Sequence, residues 1–568
     1  MNVSLRLISV FACLYPWHVD VSSELRDALA FLDWTVNPSL FVRSGYGAGA
    51  VVGGGTALIT PLVSPQLRVG VVLLSVALTL GVAHVIHVTP CLIATARRTS
   101  ALGAAPDLIA RAVLRMRLTP APERAATFVA RTSDSALARS LETHVRATRN
   151  SGQSGLIAFG DTWSDLFPSL RRSVTLLVVA GRTPSADRHR LLNRSLSVVL
   201  DGVSETLQTF GARIRGPVTA LYAFGVLLPT ALVALLPAAG AAGIVVTPGV
   251  VIVLYNICLP LSLTAASIWV LVRRPVAFPP PEVTYTHPKV ADKRVFALLC
   301  GGIVAVASWF GTALFIPQWG PPVAAAGFGT GTVLLLATRP IVSVYDRIRT
   351  VEASLSDALE LVGRRVANGH AVETAIEKAA NELNGPMGTV LADGVRQQRQ
   401  LQIGVHEAFL GRHGVLENVP SPRVRGSVAL LSLAAREGRP AGAALLSLAE
   451  HVDDLQQIER EARQQLLSVC RTLTNTATLF GPMVAGSTVA LADGISSGTA
   501  LLGGGQSFSW LGGPVGIYVL LLAVILTVLS VGLVRGFDHA LIGYRVGRGL
   551  LSATGIYLCS YLCVGTIV

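Results

Sequence analysis

Apolar runs and two long polar blocks alternate along the chain. The second polar block, Val351–Arg471, shows the pattern most clearly. From Ala353 to His370, Leu355, Leu359, Val362 and Val366 recur every three or four residues, which gives a helix one apolar face. Asp357, Glu360, Arg364 and Arg365 take up much of the rest, and Gly369 suits a C-terminal cap. A second helix is predicted from Ala441 to Leu473, with Leu445, Leu448, Val452, Leu455 and Ile458 as its apolar positions. One-sided faces need a partner, so the block reads as a packed helical domain and not as a linker. The first polar block, Thr99–Arg215, predicts helices over Pro106–Met116, Pro122–His144, Leu170–Val179 and Arg188–Phe210, with a turn at Asn150–Gly155. Alternating β-branched positions are weak throughout, which disfavours strands.

The apolar runs predict nine membrane helices: Tyr46–Val63, Val69–Thr89, Pro217–Pro237, Ala241–Val270, Val295–Ile316, Pro322–Ala337, Thr478–Ala492, Pro514–Leu533 and Leu550–Val568. Pro229, Pro237, Pro248 and Pro260 are expected to kink or interrupt two of them. Ser22–Trp34 reads as an amphipathic helix suited to a membrane surface, with Leu25, Ala28, Leu29 and Leu32 on one side. Arg97 and Arg98, Arg273 and Arg274, and Arg339, Arg347 and Arg349 follow apolar runs and mark cytoplasmic ends. The N-terminus is then inside and the C-terminus outside. Leu5–Trp17 lacks a small-residue cleavage pattern, so no removed leader is expected. The expected fold class is all-α, a polytopic helical membrane protein with two related cytoplasmic helical bundles. Its divisions are an N-terminal amphipathic segment (1–45), a membrane hairpin (46–91), a first cytoplasmic domain (92–215), central membrane helices with the short linker Pro275–Lys293 (216–338), a second cytoplasmic domain (339–476) and C-terminal membrane helices (477–568).

Composition agrees. Of 568 residues 51% are hydrophobic and 14% charged, against roughly 25% charged in ordinary soluble domains. The net charge of +13 would suggest nucleic acid in a soluble protein. Here the positive-inside rule accounts for it, and no nucleic-acid partner is expected. From Arg97 through Arg215 there are 18 Arg and 9 Asp or Glu. Lys289, Lys293 and Lys378 are the only lysines, and the seven cysteines are scattered in or near apolar runs.

The two polar blocks share a motif. PSLRRSVTLLVVAGR (Pro168–Arg182) aligns without a gap on PRVRGSVALLSLAAREG (Pro422–Gly438). Pro168 pairs with Pro422, Arg171 with Arg425 and Ser173 with Ser427, each 254 residues apart. Gly216-Pro217 and Gly481-Pro482 stand near the following membrane runs. A duplicated helical domain is expected. The matched arginines suit lipid phosphates or a soluble partner. Read singly, the same residues are a helix start, a snorkelling side chain and a packing pair.

This arrangement resembles the membrane platform family of type II secretion, tight-adherence pili and archaeal type IV pilus or archaellum assembly. The resemblance covers about Leu92–Leu491. VEASLSDALELVGRRVANGHAVETAIEKAA fits the start of the family's second domain, and Pro422–Gly438 with AGAALLSLAEHVDDLQQIE its second half. The Arg-rich, Lys-poor usage looks closest to a haloarchaeal member. The resemblance implies a non-enzymatic platform, working beside a cytoplasmic secretion ATPase, that handles pilin-like subunits and self-associates, as in a homodimer.

No cofactor or metal is expected. Val52–Thr60 (VGGGTALIT) lacks the Gly-Lys-Ser/Thr ending of a phosphate loop, and so does Gly503–Ser507. His84 and His87 share a helix face without a completing ligand, and His406, His413 and His451 match no zinc spacing. Ser173 and Ser427 lack a nucleophile-elbow context. Asp453, Asp454, Glu459 and Glu461 cluster beside Arg460 and Arg463 as a docking face for the ATPase or an ordinary solvated face. Glu352, Asp357 and Glu360 are candidates for an interdomain network. The rival readings are a secondary transporter with duplicated cytoplasmic regulatory domains, and a membrane enzyme or receptor, for which no catalytic motif is found.

Overall fold

The computed structural model describes residues 2–567 except 33, 35, 64, 134, 149–153, 242–246, 275–292, 438–440 and 502–507. All but the last residue of the linker expected at Pro275–Lys293, most of the turn at Asn150–Gly155 and the glycine loop Gly503–Ser507 lie outside the described residues. Among those described, every helix-or-strand element is a helix, so the chain is all-α.

At the N-terminus are α1 (Asn2–Cys13), α2 (Ser23–Phe31), α3 (Pro38–Ala57) and α4 (Pro65–Gly103). Ser22 caps α2 by accepting the Leu25 N–H at 3.3 Å. The apolar face of α2 is covered by protein and not by lipid, because Leu25 and Leu29 pack with Phe41 and Val42 of α3 while Ala28 packs with Ala94 of α4. The glycine-rich face of α3 lies directly on α4. A Cβ on Gly53 would collide with the Thr79 hydroxyl. His87 Nε2 sits 2.8 Å from the Val42 carbonyl oxygen, which gives that intramembrane imidazole a structural bond.

The first soluble bundle comprises α5 (Ala105–Leu118), α6 (Pro122–Thr132), α7 (Ala136–Thr148), α8 (Gly155–Thr162), α9 (Pro168–Ala180) and the start of α10 (Ser185–Tyr222). Ile109, Met116, Leu137, Leu141, Phe159 and Leu170 form its dry centre. The single helix expected over Pro122–His144 is broken. Ser135 accepts the Ala138 N–H at 3.1 Å and starts α7 afresh. Helix α8, too short for a periodic signal, was not anticipated.

The chain then crosses through α11 (Leu228–Ala241), α12 (Pro248–Val253), α13 (Leu259–Val272), α14 (Arg294–Ala313) and α15 (Gly320–Ala353). The second bundle holds the end of α15, then α16 (Leu355–Ala367), α17 (Val372–Glu382), α18 (Pro386–Leu401), α19 (Val405–Leu410), α20 (Pro422–Glu437) and α21 (Ala441–Asn475). Last come α22 (Gly481–Leu501), α23 (Gly512–Arg535) and α24 (His539–Gly565).

Among the described residues, seven helical stretches are long and apolar enough to cross a membrane. Helix α23 is the central one, with 61% of its most apolar window buried, against 11% for α14. Phe296, Ile303 and Phe310 of α14 therefore face outward to lipid.

Among the described residues, three π-turns interrupt the membrane helices, at Ala223–Leu227, Leu254–Cys258 and Thr476–Phe480. Each stands two residues before a proline: Pro229, Pro260 and Pro482. The proline ring lacks an N–H and crowds the carbonyl four residues earlier, so the turn widens. Two of those carbonyls are taken up elsewhere. Tyr518 of α23 donates to the Gly225 oxygen, and Ser552 of α24 donates to the Thr478 oxygen at 3.2 Å. Gly216 and Pro217 lie inside α10, before its π-turn, whereas Gly481 and Pro482 follow theirs. The proline that occupies the position of Pro482 is Pro229.

Candidate functional site

Helix α21 is where the parts meet. It packs along α16 on one side and along α10 and α5 on the other. Leu445, Leu448 and Val452 enter the core of the second bundle, while Ile458 packs against the core of the first. His451 is buried at this junction, and its Nδ1 has no partner among the described residues. Burial pulls its pKa down to about 4, with Asp107 of α5 opposing weakly, so the ring is neutral. Asp107 itself is held by Arg111 at 2.9 Å.

The acidic cluster expected on α21 divides between two faces. Asp453, Asp454 and Glu461 are exposed. Asp453 meets Arg460 at 3.4 Å, and Glu461 accepts from Gln457 at 3.0 Å. Partial burial and then the neighbouring Asp453 and Glu450 push the Asp454 carboxyl up. Glu459 points elsewhere. It bonds Arg423 of α20 at 2.8 Å and Arg463 at 3.0 Å, and is only 26% exposed. Five residues of helix rotate Glu459 well away from Asp454, so the stretch combines a solvated acidic face with a half-buried ion-pair hub.

The repeat residues occupy comparable places in their helices. Pro168 opens α9 and Pro422 opens α20. Ser173 is buried, with its hydroxyl 2.8 Å from that of Ser195 on α10. Ser427 is buried as well. Arg171 pairs with Asp161 at 2.7 Å on the surface, and Arg425 is exposed. The structure does not bring Arg171 and Arg425 to one site. Of the acids expected to link elements, Glu352 accepts from the Ser421 hydroxyl at 2.5 Å, and its carbonyl accepts from Gln456 of α21 at 2.8 Å. Among the described residues, Glu360 pairs only with Arg364 on its own helix.

Ser421 was missed by sequence reasoning, although a serine just before Pro422 is a cap signal; it accepts the Val424 N–H at 3.2 Å. Ser530 was missed for a different reason. Inside an apolar run nothing marks it, yet its hydroxyl lies 3.1 Å from that of Thr474 and its carbonyl accepts from the Cys470 thiol at 3.5 Å. These contacts fix α21 to α23.

Fold and junction together define a polytopic all-α membrane protein whose soluble helices run directly into its membrane core. Residues 358–487 match the family model described as Type II secretion system (T2SS), protein F, so the chain carries that domain, the domain of membrane platform proteins of secretion and pilus systems. No curated protein and no solved structure matches the chain.

Proposed function

We propose that this protein is a non-enzymatic membrane platform that couples a cytoplasmic secretion ATPase to the assembly of pilin-like subunits into a type IV-like filament or secretion pseudopilus. The protein F domain at residues 358–487 carries the reading. The junction supports it, because α10 and α21 each leave a soluble bundle and continue into the membrane core. Force applied to either bundle has a helical path to α22–α24. The π-turns at Ala223–Leu227 and Thr476–Phe480 are the compliant points on that path.

On this reading the two bundles are related copies and both are cytoplasmic. Nine spans result when α3 (20 residues) and α24 (27 residues) are added to the seven apolar stretches, with the N-terminus inside and the C-terminus outside. Asp453 and Asp454 offer the ATPase an exposed acidic face; Arg171 and Arg425 are alternative contacts, and Glu459 is an internal strut. Membrane lipid surrounds the platform, which works as a homodimer.

The test is reciprocal crosslinking and affinity isolation from native membranes, with a hydrolysis-blocked ATPase as control. Capture of a hexameric secretion ATPase together with pilin-like proteins is expected. Absence of both, with intact protein and efficient controls, would sink the reading. A secondary transporter is the second reading, resting on Asp493. It is the one carboxylate inside α22, α23 and α24, and it accepts from the Tyr561 hydroxyl at 2.9 Å. Asp493→Asn abolishing solute uptake would favour that alternative.

A further inference from the structure

Glu459 is one carboxylate among many arginines. Arg423 and Arg463 bond it directly. Arg274, just past α13, and Arg349, on α15, lie within its electrostatic reach. Arg535, the last residue of α23, lies within reach of Arg349, Arg463 and Arg545. The Arg274 guanidinium also donates to the Val534 carbonyl at 3.4 Å, next to Arg535. Six arginines from six different parts of the chain therefore converge. The carboxylates that reach Arg349 or Arg535 are Asp346, Glu352 and Glu459. Around Arg535 the charges within reach are three arginines, Arg349, Arg463 and Arg545, against one carboxylate, Asp346.

The position of the cluster is informative. Pro514–Val534 of α23 carries no charge, and Arg535 ends it. Ser530 contacts Cys470 and Thr474 of α21. Arg463 lies seven residues before Cys470, about 10 Å down the helix, and so stands near the level of Arg535. Phe537, two residues on, is 59% exposed. The cluster lies at the end of the uncharged stretch of α23, where apolar surface gives way to the soluble bundles. Except for exposed Arg545, its arginines are half-buried. Burial and then the charge of Arg463 push the Arg349 guanidinium below its ordinary range. An arrangement of this kind repels itself unless an anion joins it.

We propose that the arginines around Glu459 form a binding site for the phosphate headgroup of an anionic phospholipid, in the leaflet that borders the soluble bundles. The guanidinium fork matches phosphate oxygens and keeps its charge when half-buried, where lysine would lose it. The acyl chains lie along α23 and its neighbours. A bound lipid then bridges α13, α15, α21 and α23. The site rests on the membrane-embedded fold alone and stands whether or not the platform reading holds.

The test uses the full-length protein in nanodiscs of phosphatidylcholine, with or without a fixed fraction of phosphatidylglycerol. Lipid retained after detergent extraction is counted by native mass spectrometry, and thermal stability is followed in parallel. The wild type is expected to retain phosphatidylglycerol selectively and to gain stability from it. Arg463→Gln with Arg535→Gln is expected to weaken that retention about thirtyfold, at about fivefold per cation. Arg146→Gln, on α7, is the control and leaves it unchanged. Should the double variant not fold in neutral discs, the single variants Arg535→Gln and Arg545→Gln read the same lipid ratio, each with a several-fold loss. Equal retention in wild type and variants overturns the proposal. So does inorganic phosphate in neutral discs stabilising the wild type as much as phosphatidylglycerol, since the anion would then be a soluble one.

Discussion

Helices α10 and α21 are built to one plan and used differently. Each starts in a soluble bundle, runs 38 or 35 residues, opens into a π-turn and meets a proline two residues later. Helix α10 serves one bundle and the membrane core: Val199 and Val203 pack in the first bundle, Phe210 and Ile214 in the membrane core, and Ser195 bonds Ser173 of α9. Helix α21 serves both bundles and the membrane core at once. Its Ile458 reaches the first bundle, His451 is buried between the two, and Glu459 gathers arginines from other elements. A common plan therefore does not imply a common role. The second helix occupies the centre, and its buried polar groups are those whose loss should be felt.

The largest expected difference is in pH dependence. His451 is held neutral by burial, with a folded pKa of about 4, while the unfolded chain takes up a proton near pH 6.5. The unfolded state therefore binds more protons between these values, and stability falls as pH drops from about 6.5 to about 4, then levels off. Thermal melts of the detergent-solubilised protein should show this loss, and His451→Gln should flatten it. An identical pH slope in that variant would mean that other groups cause it.

Next in size is Glu459→Gln. It leaves Arg423 and Arg463 facing a neutral amide, and should cost about 1–2 kcal/mol with a matching drop in melting temperature. Arg171→Ala, at the corresponding motif of the first bundle, should change stability by less than about 0.5 kcal/mol, because Arg171 and Asp161 are both well exposed. Similar losses for the two would erase the asymmetry. The smallest energetic effect is expected from Pro229→Ala and Pro482→Ala. Each restores an N–H and lets the helix close to its regular turn. Spin labels at Thr219 and Leu235, flanking the first π-turn, should report a changed separation in Pro229→Ala. No change would mean that packing, and not the ring, holds the turn open.

Much of this was legible in the sequence. The 3.6-residue period of Leu355, Leu359, Val362 and Val366 gave α16, because all four must face one core. The protein F resemblance was legible from the same stretch. Helix α8 and the break at Ser135 were not, since a short helix and a local cap leave almost no periodic trace. Nor were the π-turns before Pro229 and Pro482 legible, since they depend on where the carbonyl released by each proline finds a hydroxyl.

The sequence by itself determined the all-α class, the alternation of soluble and membrane helices and the motif shared by α9 and α20, because apolar periodicity and run length act locally along the chain. Only the tertiary structure decided that α2 is covered by α3 and α4, that α23 is central, and that Glu459 leaves the acidic face to meet arginines from α20, α21 and beyond. Those outcomes depend on which helices become neighbours, and a charge spaced along one helix carries no record of the partner that a distant segment will bring to it.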